Sequence, residues 1–79
     1  MKKERIYATV SKILNKDIET LKCTDSETTL EVYGFNSISF IELVVLLEEE
    51  FSIEIEDSDL LIENFITFTK ICETLKNYI

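Results

Sequence analysis

The chain's 79 residues, 46% hydrophobic and 30% charged, fit one small domain spanning 1–79, with a core too modest for a large catalytic cleft. It has no histidine, tryptophan or proline and a single glycine, Gly34, which excludes histidine-based nucleophile pairs and zinc sites, glycine-rich phosphate loops and turn-dense β folds. The net charge of −8 repels nucleic acid and anionic lipid surfaces, and it is segregated: residues 1–22 carry +3, residues 23–69 hold no Lys or Arg and carry −12, and residues 70–79 carry +1.

In chain order, Ile6, Tyr7, Val10, Ile13 and Leu14 recur at helical spacing and predict a first helix over about 3–15. Asn15 is expected to close it, because Asn tolerates the left-handed conformation. Residues 16–36 lose the periodicity and read as a long loop pinned by Ile18, Leu21 and Leu30. Asn36 or Ser37 then caps a second helix running to about Phe51. At 100° per residue, Phe40, Leu43, Val44, Leu47 and Phe51 form its core stripe. Ile38, Glu42, Val45 and Glu49 fall on the opposite side, flanked by Ile41 and Glu48. Apolar and acidic groups interleaved on an outward face suit a basic partner, although each apolar residue taken singly could instead lie under a neighbouring loop.

Residues 52–56 alternate as a strand would, but an isolated strand has no partner, so an extended connector with Ile53 and Ile55 in the core is expected. Asp57 is expected to cap a short helix over about 58–62. Asp57 and Asp59 do not form a calcium loop, since the later ligands and the turn glycine are missing. Thr67 is the expected N-cap of a last helix burying Phe68, Ile71, Cys72, Leu75, Tyr78 and Ile79. Cys72 reads as a small core hydrophobe and Cys23 as a loop residue. Two cysteines, too few for a disulfide framework and without metal-ligand spacing, point to a reducing cytoplasm; no apolar N-terminal stretch marks export, and no metal site is expected. The expected fold is all-α: a small bundle of three longer helices and one short helix with a long first loop.

Gly34-Phe35-Asn36-Ser37-Ile38 brings the only glycine to three residues before the serine that opens the second helix. Ser and Asn are common helix caps, which is the plain reading. A helix N-terminus also favours negative charge, so a phosphate ester on the Ser37 hydroxyl would be well placed. With the acidic helix that follows, through Phe40-Ile41-Glu42-Leu43-Val44-Val45 to Glu48-Glu49-Glu50-Phe51, the segment resembles the acyl carrier and peptidyl carrier protein family. In that family a Gly-x-Asp-Ser-Leu/Ile motif opens an acidic second helix and its serine carries phosphopantetheine. The likeness extends over essentially the whole chain and is strongest from Leu30 to Ile55.

The resemblance implies that Ser37 is the attachment serine, with Gly34 and Asn36 shaping the turn before it. It implies pantetheine 4'-phosphate as a covalent cofactor, added from coenzyme A by a phosphopantetheinyl transferase. Ile38, Glu42, Val45, Glu48 and Glu49 match the family's partner-docking positions. The implied partners are that transferase and acyl- or aminoacyl-loading and processing enzymes with basic patches, with no nucleic acid, no membrane and a monomeric chain. Asn36 departs from the usual Asp, and Asn-Ser-Ile leans toward nonribosomal peptide or polyketide pathways. The alternatives are a carrier of fatty acid synthesis or an unmodified carrier-like interaction module. No catalysis is expected of the chain itself, because Ser37 has no histidine to act as its base.

Overall fold

The computed structural model describes residues 2–79. Its four α-helices are α1 (Lys2–Leu14), α2 (Ile18–Lys22), α3 (Ser37–Phe51) and α4 (Phe68–Leu75), with no strand among the described residues. Three 3₁₀ turns join them: Leu30–Tyr33 between α2 and α3, then Asp57–Asp59 and Ile62–Asn64 between α3 and α4.

The apolar stripe of α1 buries Ile6, Val10 and Leu14, and α1 packs against α3, whose Leu43, Val44 and Leu47 are buried in the same core. Asn15 ends α1 with φ 55°, the left-handed closure expected of it. On the outside of this pair, Arg5 bonds the Glu50 carboxylate at 2.6 Å and lies over the Phe51 ring at 4.5 Å. Lys22 pairs with Glu4 at 2.7 Å, and this contact raises the pKa of Lys22 above its ordinary value.

The long first connection is pinned as expected, and it holds more structure than its sequence suggests. Leu21 and Leu30 are fully buried, while Ile18 is half-buried. The five residues of α2 are too few to display a helical repeat, so one buried leucine is its only signal. Leu30 N–H donates to Ile66 O at 2.7 Å and Thr69 N–H donates to Ser26 O at 3.1 Å, tying the connection to the segment before α4 and to the first turn of α4. Thr24 and Tyr33 hydroxyls also bond to each other across it.

After α3, Ser52 takes a left-handed conformation and the chain runs extended, with Ile55 buried and Ile53 half-buried. The expected short helix over 58–62 is instead two separate 3₁₀ turns. Asp57 does not cap: it begins the first turn, the capping position falls on Glu56, and no side chain closes the turn. So short a segment gains too few backbone bonds to offset helix nucleation, and side chains from elsewhere hold it in place. Thr67 caps α4 as expected, accepting from Lys70 N–H at 3.0 Å. Phe68, Ile71 and Leu75 are fully buried beneath it, whereas Tyr78 and Ile79 lie in the turn beyond and are half-buried. Cys72 is half-buried, and desolvation raises its thiol pKa; Cys23 is exposed.

Candidate functional site

The approach to α3 is built from three successive residues with distinct tasks. Gly34 closes the Leu30–Tyr33 turn with φ 92°, its N–H donating to Glu31 O at 2.9 Å. A Cβ added to Gly34 would meet nothing within 4 Å, so conformation and not space requires glycine there. Phe35 is buried and anchors the chain before α3 begins.

Asn36 is the N-cap. Its Oδ1 accepts from Ile38 N–H at 2.9 Å, Ser39 N–H at 3.1 Å and Ser39 Oγ at 3.3 Å, and its carbonyl accepts from Phe40 N–H at 2.8 Å. Of the first four amides of α3, only that of Ser37 is left without a partner among the described residues. Ser37 is exposed, and its hydroxyl makes no hydrogen bond among the described residues. The hydroxyl is therefore accessible to an external enzyme, and a phosphate on it would meet the positive end of α3 and one free N–H.

Phe40, Ile41 and Val44 follow Ser37 at intervals of three, four and seven, which brings them to the same side of α3. With Val45 and with Leu60 from across the connector they line a shallow apolar groove of about 140 Å³. The wall formed by Leu60 has no counterpart in the helical periodicity of the sequence, because it comes from the irregular 52–66 segment. An exposed oxygen followed by an apolar groove fits a phosphate-linked arm of mixed polarity.

The outward face of α3 presents Ile38 (71% exposed) and Val45 (48%), with Ile41 (61%) beside them. Glu42 and Glu49 are exposed on the same face and make no ion pair among the described residues. Glu48 points elsewhere: it is half-buried, and its Oε2 accepts from Ile55 N–H at 2.9 Å, fastening the connector. Glu50 is held by Arg5. The structure thus brings Ile38, Glu42, Val45 and Glu49 together around one line along the helix.

Comparison with known proteins identifies the family. The profile of the family described as "Phosphopantetheine attachment site" matches residues 4–75. A protein named acyl carrier protein from Buchnera aphidicola subsp. Schizaphis graminum is 38% identical over 56 residues, covering 71% of this chain and 68% of that relative. No solved structure gives a significant match.

Proposed function

Because the chain belongs to the phosphopantetheine-attachment family of carrier proteins, we propose that Ser37 Oγ is the atom that bears its covalent phosphopantetheine. The observation that carries this reading is an exposed, unbonded serine hydroxyl at the positive end of an acidic helix, with an apolar groove on the same side. In the modification, Ser37 Oγ bonds to the phosphorus on the pantetheine side of coenzyme A, the pyrophosphate link breaks and the nucleotide departs. The hydroxyl proton passes to a base of the transferase.

The bound group supplies a thiol that holds acyl or aminoacyl cargo as a thioester. The chain's own residues do the rest by position. Gly34 and Phe35 fix where α3 starts, Asn36 holds its first turn closed, and the Ser37 N–H is left free at the helix end where a phosphate on Ser37 would be held. Glu42 and Glu49 attract basic surfaces, while Ile38 and Val45 provide apolar contact once a partner has arrived. Tethering cargo in this way raises its effective concentration at each partner. The partners are a phosphopantetheinyl transferase and enzymes that load and process the cargo, and the chain works as a single monomeric carrier domain that leaves catalysis to them. No helix among the described residues is long and apolar enough to cross a membrane.

Asn-Ser-Ile at the head of α3 favours a peptide or polyketide assembly pathway, while the likeness to a protein named acyl carrier protein keeps fatty acid synthesis as the alternative. Coexpression with a broad-specificity transferase is expected to add one pantetheine-sized mass to the wild type and none to Ser37→Ala. A wild-type chain left unmodified by several transferases, yet binding partners as tightly as Ser37→Ala does, would identify an interaction module instead.

A further inference from the structure

We propose that the seam between α1 and α3 is a furrow that receives a helix of a basic partner protein, with Ile13 seating the partner's apolar side chain and Lys12 acting as a counter-charge against it. The two helices run antiparallel, since Arg5 meets Glu50 near one end and Ile13 lies beside Ile41 and Glu42 near the other. Two hollows open along their outer junction and adjoin at Leu46, which lines both. One, of about 290 Å³, is walled by Ile13, Ile41 and Val45, with Glu42 at its rim. The other, of about 210 Å³, is walled by Thr9, Lys12, Glu49 and Glu50. On each helix the two sets stand one turn apart, Val45 from Glu49 and Ile13 from Thr9, so the furrow is apolar for one turn and charged for the next.

Exposure and charge specify the occupant. Ile41 and Val45 are exposed and Ile13 is half-buried, so the apolar end offers surface that a partner would remove from water. Three carboxylates line the furrow against one ammonium, that of Lys12. Arg5 already takes Glu50, whereas Glu42, Glu49 and Lys12 make no ion pair among the described residues. The complement is a helix with a large apolar residue and an Arg or Lys one turn from it, laid along the seam. Its cation would approach Glu49 beside Lys12, whose like charge selects partners with enough apolar contact to outweigh the repulsion. A second copy of this chain is a poorer occupant, because each copy brings a charge of −8. Ile41 and Val45 also line the groove that follows Ser37, with Leu60 opposite them there and Ile13 opposite them here. A helix in the seam therefore lies beside that groove and not in it.

The occupant's identity as a partner enzyme rests on the carrier reading, which the mass measurement tests, while the furrow is tested by binding. The full chain carrying Ser37→Ala, titrated with a broad-specificity phosphopantetheinyl transferase at low salt, gives the parent affinity without modification. Adding Ile13→Ala should weaken binding about tenfold, as for losing much of a buried isoleucine side chain. Adding Lys12→Gln should tighten it about threefold, an effect that shrinks as salt rises. Lys70→Gln makes the same change of charge on α4, outside the furrow, and should alter affinity less. If Ile13→Ala fails to fold, the methyl resonances of Ile13 and Leu46 in the parent should still shift when transferase is added, and those of Ile79 should not. No binding, an Ile13 methyl unmoved by bound transferase, or equal affinities for Lys12→Gln and Lys70→Gln would overturn the proposal. Dimerisation of the chain abolished by Ile13→Ala would assign the furrow to a second copy and overturn the partner helix. A wild type that gains no pantetheine mass, in a chain whose binding still depends on Ile13, would remove the carrier reading and leave the furrow standing.

Discussion

Asn36 joins the geometry of the site to its stability. Its carboxamide satisfies two backbone amides and bonds the Ser39 hydroxyl, so the first turn of α3 is closed without any charge. Replacing a good N-cap by alanine typically costs about 1 kcal/mol, and Asn36→Ala should lower the urea midpoint accordingly. Asn36→Asp keeps the acceptor and adds a negative charge at the positive helix end, so it should retain or slightly raise stability. An unchanged midpoint in Asn36→Ala would show that the Phe35 anchor alone fixes the turn. Gly34 is a different case, since its surroundings are open and only its left-handed backbone, with φ 92°, favours glycine over other residues.

Among the elements, α3 has one face in the core and another toward solvent, and the Leu30–Tyr33 turn sets where it begins. Leu30 is fully buried, and its N–H bonds Ile66 O, so it holds the first connection against the segment before α4. Leu30→Ala should destabilise the chain by about 2 to 5 kcal/mol, a large part of the margin of so small a domain. Val32 in the same turn is exposed, and Val32→Ala should stay within about 0.5 kcal/mol. Urea unfolding of the two variants checks the contrast, and equal midpoints would show that the turn is not an anchor.

For the molecule as a whole, the segregated charge has an uneven fate on folding. Arg5 is committed to Glu50 and Lys22 to Glu4, so part of the basic N-terminal region is used internally. Glu42 and Glu49 keep their charges free on the outward face. Reversing both to Lys should slow association with a basic transferase at low salt, and the wild-type rate should fall toward the variant's as salt rises. Equal rates at low salt would count against that face as the docking surface. Glu48→Gln should affect association less, because that carboxylate fastens Ile55 to α3.

The sequence by itself determined the all-helical class, the limits of α1 and α3 to within about a residue, the cap at Thr67, the choice of Asn36 or Ser37 as the cap of α3, and the two faces of α3. Each of these depends on residues within a few turns of one another, where spacing and capping chemistry act directly. It also pointed to Ser37 through the glycine, the cap and the acidic helix that lie beside it in the chain. Tertiary structure alone decided the rest: that α2 forms inside the first connection, that residues 57–64 break into two turns, and that Glu48 faces inward. It also decided that Leu60 completes the groove and that Tyr78 reaches Asp59 and Glu56. In short segments local backbone bonding is too weak to choose a conformation, and contacts between residues far apart in the chain choose it instead.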